Sequence, residues 1–365
     1  MLCRRAMPSF DPNAAAAFDG LYGLPHTPED AGVVIVPVPW EATVSYGAGT
    51  AKAPAAVLQA SRQVDLFDRE TGRPYEAGIA MLPLPADVRE WSERARTFAI
   101  PVIEAGGPGQ EPGFASAVAE VDRLSGLMNA WVEARVAEQL ERGRLVGVLG
   151  GDHSVPLGAI RAVAARHPGV GILHVDAHAD LREAYEGFRF SHASIMNNVV
   201  RDVPGLQRLV QVGVRDYCDE EDQLVRENPV LLRTFFDADL KREQQDGEPW
   251  SRLCGRIVAE LPREVYVSFD IDGLDPALCP HTGTPVAGGL SFAEATGLLR
   301  RLVESGRRIV GFDLNEVAPD PEGRSEWDAN VGARLLYKLI GFALLSRRAS
   351  AEPAAACDRG SRPNG

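Results

Sequence analysis

Residues 170–180 read VGILHVDAHAD. The opening six are apolar except for His174 and show no alternation, the pattern of a strand covered on both faces. Asp176, His178 and Asp180 then fall at alternate positions, and His192 follows the loop LREAYEGFRFS (181–191). Carboxylates gathered at one strand end repel each other, raising their pKa values or opening the site, unless a cation sits among them. The stretch therefore predicts a buried parallel strand with a metal at its carboxyl end.

Working outward, further strands are predicted at 33–38, 145–149, 208–214, 232–235, 265–270 and 308–313. Helical spacing of apolar residues is longest over 114–141, where Phe114, Val118, Val121, Leu124, Met128, Trp131, Val132, Val136 and Leu140 recur every three or four positions. Other helices fit 155–166, 192–200, 219–227, 250–261, 291–305 and 327–346. Repeated β–α order predicts an α/β fold, a single-domain, doubly wound, mainly parallel sheet with helices on both faces. Such sheets bind ligands beyond the carboxyl ends of their strands.

Four strands end in acidic or imidazole groups. Strand 145–149 runs into Gly150–Gly151–Asp152–His153–Ser154 and strand 265–270 into Asp270–Ile271–Asp272–Gly273–Leu274–Asp275. Strand 308–313 runs into Asp313–Leu314–Asn315–Glu316. Alone, GGDHS reads as a turn before a capped helix, and DxDGxD as a calcium loop lacking its spaced Glu. Together at neighbouring strand ends they read as a metal site. Two divalent cations would cancel Asp176, Asp180, Asp270 and Asp272, with His153 and His178 completing a nitrogen and oxygen donor set. Such donors without thiolate suit Mn²⁺ (manganese), with Ni²⁺ (nickel) also accommodated. A paired site of this kind can lower the pKa of a bound water towards neutrality.

Composition narrows the field. The chain of 365 residues is 45% apolar and 24% charged, ordinary for a globular protein. No apolar run approaches the roughly 20 residues of a membrane span. A net charge of −13 disfavours nucleic acid and anionic membrane as partners and suits a small cationic substrate. Five scattered cysteines without a CxxC pair argue against a disulfide framework and fit a cytoplasmic location. Residues 1–30 are expected to be an N-terminal extension, 31–347 the catalytic domain, and 348–365 a flexible C-terminal tail.

GGDHS, DAHAD, SFDIDGLDP with GTPVAGGLS, and FDLNEVAP occur in the order of the ureohydrolases, and VPWEATVSYGAGTAKAPAAVLQAS resembles that family's opening strand, loop and helix. The resemblance spans about 31–347 and includes arginase and agmatinase. It implies an arginase-like fold, two metal ions and release of urea and an amine from a guanidino compound. It also implies that His153 and His178 are terminal ligands, Asp176 and Asp270 bridge, and Asp180 and Asp272 complete the two shells. Asp180 would pass a proton to the leaving amine, His192 would shuttle protons, and Glu316 would hold the guanidinium group. Family members are commonly trimers or hexamers, so a homo-oligomer is expected.

The loop 181–191 lacks the asparagine of an arginase amino-acid site, and Cys218 stands where arginases have an acid for the α-amino group, although Asp219 and Glu220 adjoin it. An agmatinase-like activity on agmatine is therefore expected. The alternatives are arginase or a hydrolase of a guanidino acid, formiminoglutamate or guanidine, with Arg182 and Arg189 as candidate partners for a substrate carboxylate. A deacetylase-like amide hydrolase shares the fold but needs one metal, and the paired His153 and Asp180 argue against it. His174 is expected in the core, His281 in a solvated loop, and Asp152 as backbone support for His153.

Overall fold

Eight short strands, most of whose residues are buried, leave little choice but a central parallel sheet. The computed structural model describes residues 10–351. Its strands are β1 (Val33–Pro37), β2 (Ile79–Met81), β3 (Leu145–Leu149), β4 (Gly171–Val175), β5 (Arg208–Val214), β6 (Leu232–Phe236), β7 (Glu264–Asp270) and β8 (Arg308–Asn315). All pairings are parallel, in the order β2-β1-β3-β8-β7-β4-β5-β6. The α/β expectation holds, and the sheet is wholly parallel.

The helices are α1 (Ala53–Ala60), α2 (Ala86–Glu104), α3 (Phe114–Glu141), α4 (Leu157–Arg166), α5 (Ile195–Asp202), α6 (Asp219–Glu227), α7 (Asp237–Gln245), α8 (Trp250–Ala259), α9 (Phe292–Glu304) and α10 (Trp327–Ala351). They split between the faces. Ile35, Val175, Val267 and Phe312 pack in one core with Leu253 of α8, Leu298 of α9 and Leu339 of α10. Val148, Ile172 and Val310 pack in the other with Met128 of α3, Ile160 of α4 and Met196 of α5. Each such fully buried side chain contributes about 1.5–3 kcal/mol relative to exposure.

Leu21, Tyr22 and Leu24, within the expected extension, are all buried in the core. The Tyr22 hydroxyl donates to the Ala333 carbonyl at 3.0 Å and its amide donates to Ser61 Oγ at 2.8 Å. At the other end, α10 continues through the first residues of the expected tail to Ala351. Residues 1–9 and 352–365, with Cys3 and Cys357, lie outside the described residues.

The topology decides where chemistry can occur. β3, β8, β7 and β4 are consecutive in the sheet, so their four acidic carboxyl ends open onto one crevice. Tight backbone approach holds the first of them. A side-chain carbon on Gly151 would stand 1.7 Å from the Trp40 carbonyl oxygen, so this turn accepts only glycine.

Candidate metal centre

Asp176, just beyond β4, divides its two carboxylate oxygens between two groups of potential ligands. Its Oδ2 lies 2.9 Å from His153 Nδ1, which is also 3.1 Å from Asp270 Oδ2 and 3.4 Å from Asp180 Oδ2. Its Oδ1 lies 3.4 Å from His178 Nδ1, which is 3.1 Å from Asp272 Oδ2. The six residues singled out by spacing thus converge as two sets sharing one carboxylate. His178 is partly exposed, and the other five are buried.

Charge shows why this donor set fits divalent cations. Among the described residues no Lys or Arg side chain pairs with Asp176, Asp180, Asp270 or Asp272; their only ion-pair partners are imidazoles. Burial, reinforced by Asp176, pushes the Asp180 carboxyl up to about 7. Burial with Asp272 and Asp176 holds Asp270 well above the carboxylate range. Burial lowers the His178 imidazole, but Asp272 and Asp176 outweigh it and raise it to about 12. The carboxylates draw in whatever positive charge is available, and two divalent ions would replace these protons.

Beneath the ligands runs a buried polar row that the sheet register assembles. Thr234, Gln211, His174, Ser268 and Asp313 are successive cross-strand partners on β6, β5, β4, β7 and β8. The Thr234 hydroxyl donates to Gln211 Oε1 at 2.9 Å, and Gln211 Nε2 donates to the Ala179 carbonyl at 2.6 Å and approaches His174 Nδ1 at 3.1 Å. With Nδ1 accepting, His174 Nε2 carries the proton and donates to Asp176 Oδ2 at 2.8 Å. On the other side, His153 Nε2 lies 3.0 Å from Ser268 Oγ, which donates to Asp313 Oδ1 at 3.0 Å. That pairing leaves His153 Nδ1 free to face the carboxylates.

Two acidic residues at the crevice adopt left-handed backbone, Asp180 with φ 54° and Glu316 with φ 61°. Such conformations cost about 1–3 kcal/mol and persist where the surroundings enforce them. The Asp180 carbonyl accepts from Met196 and Asn197 amides at 3.0 and 3.1 Å. Glu316 is pinned by its amide to the Gly151 carbonyl at 2.8 Å, and its Oε1 accepts the His153 amide at 2.9 Å. Its Oε2 is buried without a partner among the described residues. Burial and then Asp152 hold this carboxyl well above the usual range, an unsatisfied acceptor awaiting a donor.

A cavity of about 280 Å³ opens from the ligands and includes His178, Asp180 and His192 in its wall. His192 Nδ1 lies 3.4 Å from both Thr43 Oγ1 and Ser191 Oγ. Burial, aided by the nearby His178 and His153, pushes its imidazole down to about 3. Farther out the wall is formed by Arg182, Tyr185, Asp216 and Glu221, with Tyr46 and Tyr217 at the rim. Glu221 is buried, accepting the Leu181 and Cys218 amides at 2.9 Å each.

The profile of the arginase family matches residues 31–341. The chain belongs to the arginase family. It is 31% identical to N(1)-aminopropylagmatine ureohydrolase of Synechocystis sp. over 86% of this chain and 89% of that protein. It is 30% identical to the agmatinase of Bacillus anthracis over 80% and 85% of the two chains. The solved agmatine ureohydrolase of Thermoplasma volcanium shares the fold, with a TM-score of 0.69, 23% identity and coverage of 91% and 96%. This arginase-family protein is therefore a metal-dependent hydrolase of guanidino compounds.

The structure separates the substrate-side candidates. Arg182 lies on the cavity wall, but its guanidinium sits 5.1 Å over the Tyr185 ring and its Nε is 3.8 Å from Glu221. Arg189 pairs with Asp202 at 2.6 Å and does not line the cavity. Asp219 and Glu220 are exposed and also absent from its wall, whereas Asp216 and Glu221, not singled out from sequence, do line it. His281 is not simply solvated, because its Nδ1 is 2.8 Å from Asp328 Oδ2. Asp152 behaves as expected, its Oδ1 capping the Ser154 amide at 3.0 Å.

Proposed function

We propose that this protein hydrolyses agmatine or its N-aminopropyl derivative to urea and the corresponding amine. In this reading His153, Asp176, Asp180 and Asp270 hold one divalent ion, and Asp176, Asp270, His178 and Asp272 the other. Mn²⁺ suits the nitrogen and oxygen donors, with Ni²⁺ a second candidate. Held by these residues, two such ions would supply the Lewis acidity that makes water nucleophilic near neutral pH.

The chain's own residues do the rest. Glu316 turns its unpartnered Oε2 to the guanidinium N–H groups and fixes the planar carbon by charge-assisted hydrogen bonds. Asp180 accepts a proton from the attacking water and returns it to the departing nitrogen. His192, on the cavity wall 3.4 Å from Thr43 Oγ1, relays protons between the site and the cavity.

The observation that carries the substrate assignment is the acidic and aromatic outer wall. Asp216 is exposed on it and has no ion-pair partner among the described residues, so it can meet the ammonium end of an amine. Arg182, spent on Tyr185 and Glu221, is poorly placed for a substrate carboxylate. The exposed rings of Tyr46 and Tyr217 suit a second, more distant ammonium through cation–π contact.

Urea release by Mn²⁺-loaded protein from agmatine, N(1)-aminopropylagmatine, guanidinobutyrate, arginine and formiminoglutamate tests the reading. Turnover of either amine above the acids supports it. Preference for arginine or guanidinobutyrate overturns the substrate and leaves the metal centre standing.

A further inference from the structure

At the amino ends of the strands, opposite the metal centre, lies a second cavity of about 300 Å³. Arg144, Arg166, His167, Arg308 and Arg347 line it over an apolar floor that includes Val310. Arg144 precedes β3, Arg308 opens β8, Arg166 closes α4, and Arg347 comes from the last part of α10. The length of β8, eight residues, separates this cavity from Glu316; at about 3.3 Å per residue that is roughly 25 Å.

Helix dipoles account for part of this. Arg166 ends α4, where a cation is favoured by the helix dipole. They do not account for four guanidinium groups meeting at one cavity in a chain of net charge −13. The carboxylate partnered there is Glu264, shared between Arg308 and His167. Arg144 is bound to neutral oxygens, Gln139 Oε1 and the Glu29 carbonyl. Arg347 reaches only the Arg144 carbonyl at 3.4 Å, and neither it nor Arg166 has an ion-pair partner among the described residues. Burial and the neighbouring Arg308 push the Arg347 guanidinium below its ordinary value, as expected where like charges crowd without an anion.

We infer that this cavity binds an oxyanion of the phosphate class. Guanidinium forks match tetrahedral phosphate oxygens bidentately, and the excess of positive charge favours a multiply charged anion such as diphosphate over a lone carboxylate. A ligand here would tie α4, α10 and the start of β8 together and would touch no substrate. It would act on stability, independently of the reaction assigned to the metal centre.

The test titrates full-length Mn²⁺-loaded protein with inorganic phosphate, pyrophosphate and citrate at constant ionic strength, following the unfolding midpoint. The expected result is a saturable rise with phosphate and pyrophosphate, at least about tenfold weaker in Arg166→Gln and Arg347→Gln, the loss of one charge-assisted contact. Both variants should release urea at the wild-type rate. Arg166 is exposed, so its variant decides the matter if Arg347→Gln does not fold. No saturable response, an equal response in the variants, or a response to citrate with none to pyrophosphate would each overturn the assignment.

Discussion

His174 Nε2 stands 2.8 Å from Asp176 Oδ2, with the Gln211 side chain behind it at 3.1 Å from Nδ1. The shared carboxylate is thus oriented by a neutral histidine whose tautomer is fixed from the neighbouring strand. Groups in this position typically govern metal affinity by about 10- to 100-fold. His174→Phe should weaken Mn²⁺ binding by about that factor while leaving the fold intact, and His174→Gln should recover part of it. Competition titration against a metal-sensitive dye measures the affinity. Unchanged affinity in His174→Phe would remove the orienting role.

Glu316 offers one unpartnered buried oxygen, and a hydrogen bond to a charged group is worth about 1.5–3 kcal/mol. Glu316→Gln should lower kcat/KM by about 10- to 100-fold, with metal content unchanged. Steady-state kinetics beside metal analysis check it. A loss of metal in this variant would mean that Glu316 belongs to the ion site instead.

The loop from Cys279 to Val286 is held by Asp328, which accepts the His281 amide at 3.0 Å and lies 2.8 Å from its Nδ1. That anchor sets Thr282 Oγ1 against the Glu316 carbonyl at 2.8 Å. Asp328 is fully buried, so Asp328→Ala leaves the loop's donors unmatched and should cost about 1–3 kcal/mol of stability, with a rise in KM. Asp328→Asn, which keeps an acceptor, should sit between the two. Denaturant midpoints and substrate titrations resolve the order.

On the outer surface Lys338 Nζ lies 2.6 Å from Asp68 Oδ2 and 2.7 Å from Glu70 Oε2. Burial raises the Asp68 carboxyl, but the bonds from Lys338 and Thr71 outweigh it and leave it below its ordinary value. A depressed folded-state pKa stabilises above the unfolded value of about 3.9, and that stability is lost as pH falls through the folded value. Lys338, which burial lowers but Asp68 and Glu70 raise overall, contributes below an unfolded value of about 10.4 and loses that contribution as pH rises through its folded value. Lys338→Met should therefore destabilise the protein at neutral pH and make less difference below about pH 3. Denaturant midpoints at both pH values decide it.

Much of this was legible in the chain because strand ends announce themselves. The runs 145–149, 170–175 and 265–270 are mostly apolar without alternation, so position and burial followed directly, and so did the candidate ligands at their carboxyl ends. β2 escaped notice because three residues, Ile79–Met81, carry no period. Helix α2 escaped because Arg, Glu and Ser dilute its apolar stripe, and α7 because its sequence DADLKREQQ is nearly all polar. The polar row was invisible for a different reason. His174, Ser268 and Asp313 become neighbours only through the register of three strands remote in sequence. Asp216 and Glu221 were indistinguishable from Asp219 and Glu220 until the turn before α6 chose which faced the cavity.

Metal content per chain tests the central claim most directly. Protein purified with Mn²⁺ should hold two ions, His178→Asn should keep one, and Asp176→Asn, which weakens the carboxylate shared by both groups, should lose both. One ion in the wild type, or two retained in Asp176→Asn, would contradict a paired centre built around Asp176.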